Sequence, residues 1–253
     1  MPFYRVTKET SVTFGDGKMI STLKKRLAQG GSIVMLNPSH ISMTLTEKLA
    51  VAGADLIFVD CESGTASYDQ LQQMTKGARL GGGHTIARPQ NQEHSMLARC
   101  LHCGADGLMV PLVNTADQAK EVVATVRYNC PDQEIDEKLI IVMIETTEAV
   151  RNLDEILAVD GIDIFFIGPG DLSITMGYSP RVPPGGRRPQ PVLDMVEHII
   201  ARIHAAGKAT GTLVTKRDIA HYAALGTQLL YYHVDPLLAE SLQAMRELAT
   251  IDK

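Results

Sequence analysis

The chain alternates short apolar runs with longer amphipathic segments, and it does so eight times. The runs are apolar on both faces, which is typical of parallel strands that are covered on both sides. Segments with apolar residues at helical spacing separate the runs, and several end at a glycine, a common stop signal for a helix. The predicted strands are 32–36, 56–60, 85–88, 107–110, 140–145, 162–167, 209–214 and 229–233.

Eight strand–helix units favour a single (β/α)8 barrel, an α/β fold, over an open doubly wound sheet. The 253 residues of the chain also fit this barrel, which usually has about 250 residues. An open nucleotide-binding sheet usually carries a Gly-rich phosphate turn early in the chain, and this sequence has none there. An extra helix, 20–27, is predicted before the first strand. We therefore expect one domain over residues 1–253.

Charge and cysteine content argue against several functional classes. The net charge is −5 and no basic block is present, so nucleic acid is not an expected partner. No apolar run reaches the ~18 residues of a membrane span, and residues 1–8 lack the apolar core of a signal peptide. Four cysteines without such a signal favour reduced thiols and a cytoplasmic location. Cys100 and Cys103 are interpreted as core-facing residues, because no second ligand pair for zinc accompanies them.

Charged residues collect where the predicted strands end, which is where (β/α)8 barrels place their chemistry. They are Asp60, Glu62, Arg88, Glu145 and Asp171. The opposite strand ends carry mostly neutral residues and glycines. Converging carboxylates repel one another unless a cation lies between them. Oxygen ligands without a histidine pair favour Mg²⁺ or Mn²⁺ over zinc, with Glu145 and Asp171 as the metal ligands.

Arg88 and the turn after the sixth strand predict a 2-oxo acid as the substrate. A guanidinium group binds carboxylate or carbonyl oxygens through paired N–H groups, so Arg88 would stabilise the enolate oxygen of pyruvate. The backbone N–H groups of the turn would bind the substrate carboxylate. Its residues are Gly168, Pro169, Gly170 and Asp171. No predicted strand ends in lysine, so a Schiff-base aldolase is not favoured.

The segment 177–191 follows on the same side of the predicted barrel and contains five prolines and three glycines. Its length and its arginines are consistent with a lid over the site. A solvated loop without a catalytic role is the alternative.

The ordered motifs resemble those of the HpcH/HpaI aldolase/citrate lyase family over about residues 23–249. The motifs are Asp60-Cys61-Glu62, Ala87-Arg88-Pro89, 108–111, Ile144-Glu145-Thr146 and 168–173. The resemblance implies a barrel of the pyruvate/phosphoenolpyruvate superfamily and a class II, metal-dependent pyruvate aldolase. It also implies a homo-oligomer, a hexamer or trimer, formed by exchange of the last helix.

The resemblance assigns roles to single residues. Glu145 and Asp171 match the ligands of a divalent cation, which would be Mg²⁺, Mn²⁺ or Co²⁺. Arg88 matches the arginine that contacts the keto oxygen. Asp60 and Glu62 match the acidic pair near the metal's waters, and Gly170 with the backbone of Asp171 matches the carboxylate-binding turn.

Two positions depart from the family's pattern. Ser63 stands where the family's aldolases have a catalytic histidine, and His102 stands where they have its partner aspartate. Three replacements for the missing base stay open: His102 turned into the site, His40 after the first strand, or a metal-bound water alone. His233, at the end of the eighth strand, is a further candidate.

These features favour a metal-dependent carbon–carbon lyase, an aldolase, that acts on 2-oxo acids through a pyruvate enolate. Loss of the histidine leaves a second possibility: a decarboxylase, a hydrolase or a citrate-lyase-like enzyme that acts on a thioester. A barrel that binds a metal–oxo-acid complex without turnover is the non-enzymatic alternative.

Overall fold

The computed structural model describes residues 20–130, 135–182 and 186–250, and eight parallel strands form a closed barrel at its centre. The strands are β1 (Ile33–Asn37), β2 (Leu56–Asp60), β3 (His84–Arg88), β4 (Gly107–Val110), β5 (Leu139–Ile144), β6 (Ile164–Ile167), β7 (Ala209–Leu213) and β8 (Leu229–His233). Each strand pairs with its neighbours in sequence, and β1 pairs with β8 to close the barrel. The predicted (β/α)8 barrel is confirmed, and every predicted strand overlaps an observed one.

Eleven α-helices surround the barrel in the described part of the chain. They are α1 (Ile20–Ala28), α2 (Met43–Val51), α3 (Tyr68–Leu80), α4 (His94–His102), α5 (Ala116–Asn129), α6 (Thr147–Arg151), α7 (Leu153–Leu157), α8 (Pro169–Thr175), α9 (Gln190–Ala205), α10 (Ile219–Ala224) and α11 (Val234–Thr250). The extra helix before the first strand is confirmed as α1. Among these described helices, none has the length and apolar character needed to cross a membrane.

The segment 146–159, which has apolar residues at helical spacing and is predicted as one helix, forms two helices in the structure. Asn152, with φ −92° and ψ 11°, lies between α6 and α7. Its side-chain Nδ2 donates to the carbonyl of Asn114 at 2.8 Å. This contact depends on a residue distant in sequence, so helical periodicity alone gave no sign of the break.

Helix α1 closes the end of the barrel where the strands begin, which we call the floor. Ile20 and Leu23 are each 1% exposed and belong to the same apolar cluster as the interior residues Leu56 and Phe58. Burial of one such side chain stabilises a protein by about 1.5–3 kcal/mol. Helix α1 is therefore part of the barrel core, and the end where the strands finish, the rim, is left open for polar groups.

Three aspartates connect neighbouring strands at the floor. Each lies directly before an even-numbered strand. Each carboxylate accepts a backbone N–H near the start of the preceding strand: Asp55 from Val34 (3.0 Å), Asp106 from Thr85 (2.9 Å) and Asp163 from Ile140 (2.8 Å). Each also pairs with a cation: Arg26 (2.7 Å), Arg79 (3.1 Å) and Lys24 (3.1 Å), respectively. The expectation of mostly neutral strand starts was therefore wrong, and acids lie at both ends of the barrel.

The last helix, α11, exposes one apolar face. Leu238, Leu242, Met245 and Leu248 are 55%, 56%, 66% and 72% exposed. These positions fall on one side of a helix with 3.6 residues per turn. The described part of the chain leaves this stripe uncovered.

Candidate active site

The interior of the barrel ends at the rim in a layer of polar side chains. Alternate residues of a strand point to the same face, so each of these side chains lies two positions after an interior apolar residue. They are Asn37 after Met35, Asp60 after Phe58, Arg88 after Ile86, Glu145 after Met143 and His233 after Tyr231. Strand periodicity alone therefore brings three charged groups, an amide and an imidazole to one surface.

Two carboxylates hold the Arg88 guanidinium in place. Arg88 Nε and Nη2 donate to the two carboxylate oxygens of Asp60 at 2.9 and 2.7 Å. Its Nη1 lies 2.9 Å from Oε2 of Glu62, and the group sits 5.7 Å from the centre of the Phe58 ring. Asp60 Oδ1 in addition accepts the backbone N–H groups of Glu62 and Ser63. The arginine is thus fixed before any substrate binds.

Glu62 faces both the arginine and the acids across the rim. Burial raises the pKa of its carboxyl, the Arg88 charge opposes this rise, and Asp60 and Asp171 add to it. The overall direction of the pKa shift is upward, and burial is its largest cause.

Glu145 is the most deeply buried of these acids, with only 1% of its surface exposed. Its Oε1 accepts the backbone N–H of Leu112 at 2.8 Å. Its Oε2 is buried and has no hydrogen-bond partner among the described residues. Burial, with repulsion from Asp171 and Glu62, raises the pKa of Glu145 to about 8. An unpartnered buried carboxylate oxygen beside other acids is the arrangement that a bound cation would stabilise.

The turn at the start of α8 lies against Glu145. A Cβ atom at Gly168 would overlap the Glu145 carboxylate, so only glycine fits there. Pro169 begins the helix, Asp171 stands in its first turn, and no other atom lies within 4 Å of a Cβ placed on Gly170. The turn therefore presents free backbone and one carboxylate to open space at the rim.

These residues fit a divalent cation held by two protein carboxylates. Glu145 and Asp171 are close enough to raise the pKa of Glu145, whereas Asp60 and Glu62 are bound to Arg88. Within 20–130, 135–182 and 186–250, no group of three or more His, Cys, Asp or Glu side chains could hold a metal by itself. Mg²⁺ commonly takes one or two carboxylates and completes its shell with water and substrate oxygens.

The structure does not bring His102 to the rim. It is the last residue of α4, its side chain is exposed, and the chain enters β4 only a few residues later. Helices of this barrel run back towards the strand starts, so His102 lies at the floor of its own chain. Its proposed role as a catalytic group turned into the site is therefore wrong for the site of the same chain.

The other two candidate histidines do lie at the rim. His40 Nε2 is 3.3 Å from Asp235 Oδ1, and the two side chains are 67% and 55% exposed. His40 borders a cavity of about 220 Å³ together with Asp60. His233 is half-buried, and its ring centre lies 5.2 Å from that of Tyr231.

Sequence reasoning missed Leu112 and Gln92. Leu112 has a φ of 55°, a left-handed conformation that is uncommon for a residue with a Cβ. Gln92 Nε2 donates to the carbonyls of Pro111 and Leu112, and the bend directs the Leu112 N–H at Glu145. A leucine carries no sequence signal for positive φ, so only the structure shows this role.

Only part of the segment 177–191 falls within the described residues, because 183–185 lie outside them. Arg188 Nη1 donates to Ser173 Oγ at 3.2 Å and to the Pro180 carbonyl at 3.0 Å. Ser173 Oγ in turn donates to the Pro169 carbonyl at 2.6 Å. The segment borders a cavity of about 590 Å³ next to Pro169, so it lies beside the turn that the sequence predicted as substrate-binding.

A closed (β/α)8 barrel with carboxylates and an arginine at the C-terminal ends of its strands has the arrangement of a barrel enzyme. Residues 34–231 match the family model for HpcH/HpaI aldolase/citrate lyase. The chain belongs to the HpcH/HpaI aldolase/citrate lyase family, as the sequence motifs predicted.

Individual relatives narrow the enzyme class. A 2-keto-3-deoxy-L-rhamnonate aldolase of Escherichia coli O6:K15:H31 (strain 536 / UPEC) is 32% identical, with 87% of this chain and 89% of that protein covered. An HpcH/HpaI family protein from Burkholderia cenocepacia J2315 has a TM-score of 0.80 at 24% identity, covering 91% of this chain and 100% of that one. The citrate synthase SbnG has a TM-score of 0.78 at 25% identity, covering 90% and 98%. The chain is thus an enzyme of the carbon–carbon lyase class.

Proposed function

We propose that the enzyme is a divalent-metal-dependent aldolase that cleaves a 4-hydroxy-2-oxo acid into pyruvate and an aldehyde, or joins the two, through the enolate of pyruvate. The observation that carries this proposal is the buried Glu145 carboxylate. Its Oε2 has no hydrogen-bond partner among the described residues, and Asp171 and Glu62 repel it. An anionic substrate would enter such a cluster at high electrostatic cost unless a cation accompanied it.

Glu145 and Asp171 are the residues that would hold this cation, as Mg²⁺, Mn²⁺ or Co²⁺. A divalent ion there would supply Lewis-acid polarisation of the 2-oxo group. The oxygen-only donor set supports a hard ion over zinc, and aldolases of this family are generally divalent-metal-dependent.

Arg88 would stabilise the negative charge that develops on the enolate oxygen. Asp60 and Glu62 hold its guanidinium group on three nitrogens. Each Nη atom has one further hydrogen without an acceptor among the described residues, which is available to a substrate. A donor fixed before the reaction needs no reorganisation when charge develops, which is the main source of electrostatic catalysis. Asp60 and Glu62 would act by keeping Arg88 in this geometry.

The turn from Gly168 to Asp171 would bind the carboxylate of the 2-oxo acid. The first backbone N–H groups of α8 have no partner within the helix, and the space over Gly170 is open. A substrate carboxylate placed there would lie next to Asp171, which supports a shared position for substrate and cation.

Deuterium exchange at the methyl group of pyruvate tests this function without knowledge of the aldehyde. We expect NMR to show exchange in deuterated water when Mg²⁺, Mn²⁺ or Co²⁺ is added to chelator-treated enzyme, and no exchange with the chelator present. Glu145→Gln should abolish exchange, while Asp117→Asn, at an exposed surface acid (91% exposed side chain), should retain it. Absence of exchange with every cation would contradict the proposal.

A second candidate is a citrate-synthase-like or citrate-lyase-like reaction, in which the carbon–carbon bond involves an acyl thioester. The likeness to the citrate synthase SbnG supports it, as does the resemblance-based assignment of Ser63 to the position of the family's catalytic histidine. A panel of 4-hydroxy-2-oxo acids, oxaloacetate and acyl thioesters separates the two. Turnover of oxaloacetate with a thioester, without cleavage of any 4-hydroxy-2-oxo acid, would select the second candidate.

The enzyme is also proposed to assemble as a homo-oligomer in which α11 packs against a second copy. The exposed stripe of Leu238, Leu242, Met245 and Leu248 supports this proposal, because a contiguous exposed apolar face usually marks an interaction surface.

A further inference from the structure

One histidine occupies the polar interior layer at the rim, and it is His233. All eight histidines of the chain lie within the described residues, so their positions can be compared. The other seven lie at the floor, on outer helices or in an exposed loop: His84, His94, His102, His198, His204, His221 and His40. Strand alternation after Leu229 and Tyr231, both interior residues, directs His233 into the barrel mouth.

The surroundings of His233 leave its ring nitrogens available. Its ring packs edge-on against Tyr231, with an interplanar angle of 73°, and Asn37 of β1 stands opposite it in register. Neither ring nitrogen has a hydrogen-bond partner in the part of the chain that the structure describes. Packing thus orients the imidazole while its polar atoms are open to a ligand in the barrel mouth.

The charged groups that face His233 are Asp60 on β2, Arg88 on β3 and Asp235 at the start of α11. Burial lowers the pKa of the imidazole, Arg88 lowers it further, and Asp235 and Asp60 oppose this shift; the net direction is downward. The ring is therefore neutral at pH 7, which is the state that a general base needs.

We propose that His233 is the general acid/base of the aldol reaction, in place of the histidine that the family carries at the position of Ser63. This inference rests on the proposed function and adds its missing proton-transfer group. In the cleavage direction, a nitrogen of His233 takes the proton of the C4 hydroxyl, and the C3–C4 bond breaks to release the aldehyde. The bonding pair passes to the C2 carbonyl as the enolate of pyruvate, facing Arg88. The imidazolium then returns the proton to C3, which completes the methyl group of pyruvate.

The position of His233 favours it over His40, the other rim histidine. His40 is 67% exposed and lies within 3.3 Å of Asp235, so water and a carboxylate already surround it. His233 lies in the same interior layer as Arg88 and Glu145, the residues proposed to hold the enolate and the cation. A base in this layer is shielded from bulk water.

Replacement of His233 by asparagine tests the proposal. Because general acid–base catalysis contributes about 10²–10⁴-fold, we expect His233→Asn to lower kcat and the pyruvate exchange rate by a factor in that range. Oxalate, a probe that resembles the enolate, should still bind with wild-type affinity by calorimetry, since the groups that hold it are unchanged. His40→Asn is the matched control and should keep wild-type turnover.

The pH profile and chemical rescue give readouts that a merely structural role would not move. In the wild-type enzyme, kcat/KM should fall on the acid side below the ordinary histidine pKa of about 6.5, and this limb should be absent in His233→Asn. Added imidazole should restore part of the activity of His233→Ala. If either variant fails to fold, the acid limb of the wild-type profile decides, and its absence would contradict the proposal.

Outcomes for the two proposals are separable. If the wild-type enzyme exchanges no pyruvate protons, the proposed aldolase function is contradicted. If wild type and His233→Asn exchange pyruvate protons equally fast, the aldolase function is supported and only the role of His233 is contradicted. Loss of activity in His40→Asn with full activity in His233→Asn would move the role to His40.

Discussion

At the scale of single residues, the contacts of Asp60 and Glu62 with Arg88 predict the effect of replacing this arginine by lysine. A lysine offers one ammonium group and no planar pair of N–H donors, so Arg88→Lys loses the paired contact with Asp60 that fixes the side chain. We expect kcat/KM to fall by at least about 100-fold, a loss typical of removing one preorganised donor. Steady-state kinetics measure it, and Arg79→Lys at the floor should leave kcat/KM unchanged.

Glu145 makes the stability of the metal-free enzyme depend on pH. Its pKa is raised to about 8 by burial and by its acidic neighbours, whereas the unfolded carboxyl ionises near about 4.3. Between these values the folded state holds a proton that the unfolded state has lost, so stability falls as pH rises. One such group contributes at most about 1.4 kcal/mol per pH unit. Denaturant unfolding of chelator-treated enzyme between pH 5 and 8.5 should show this decline.

Two variants of the same measurement identify the cause. Glu145→Gln removes the titrating group and should flatten the slope over this range. Added Mg²⁺ or Mn²⁺ should raise wild-type stability most at the alkaline end, because the cation binds the ionised form. A slope that persists in Glu145→Gln would assign the effect to another group.

Sequence reasoning reached the site residues that follow strand periodicity and missed those that depend on tertiary structure. Asp60, Arg88 and Glu145 end apolar strands, and their shared surface follows from alternation alone. Leu112 has a positive φ that directs its N–H at Glu145. A leucine in the sequence does not indicate this conformation. His102 does not reach the site of its own chain, because it ends α4 on the side of the barrel where the strands begin.

At the scale of elements, the same Gly-x-Asp turn precedes three strands. Gly53, Gly104 and Gly161 all have positive φ, and each is followed two residues later by an aspartate that joins the preceding strand. This Gly-x-Asp repeat is visible in the sequence. Strand existence was predictable from apolar runs, whereas the break at Asn152 was not, because its partner Asn114 is remote in sequence.

Substitution of Asp106 measures how much one of these aspartates contributes to stability. Asp106→Ala leaves the Thr85 N–H, now bonded at 2.9 Å, without its acceptor and removes the carboxylate that pairs with Arg79. An unsatisfied buried donor costs about 1–3 kcal/mol, so we expect a loss of this size in denaturant unfolding with kcat unchanged. Asp106→Asn keeps an acceptor oxygen and should lose less. Equal losses in both variants would assign the effect to the charge instead of the hydrogen bond.

At the scale of the whole molecule, the two barrel ends differ in how their acidic side chains are paired. At the floor Asp55, Asp106 and Asp163 each pair with a cation and accept a backbone N–H of the preceding strand. At the rim two acids share Arg88, and one Glu145 carboxylate oxygen lacks a hydrogen-bond partner in the part of the chain that the structure describes. The same strand periodicity thus produces a floor whose acids are paired within the chain and a rim where a bound cation would complete the pairing.

The exposed face of α11 predicts that assembly depends on its apolar stripe. Leu242→Glu places a charge in the centre of the stripe, and burying an unpaired carboxylate in an apolar interface is strongly unfavourable. We expect sedimentation or light scattering to show wild-type oligomers and a shift of Leu242→Glu to smaller species. Gln243→Glu adds the same charge on the opposite face of the helix and should assemble normally. If Leu242→Glu assembles as wild type does, the subunit interface lies elsewhere and the stripe needs another explanation.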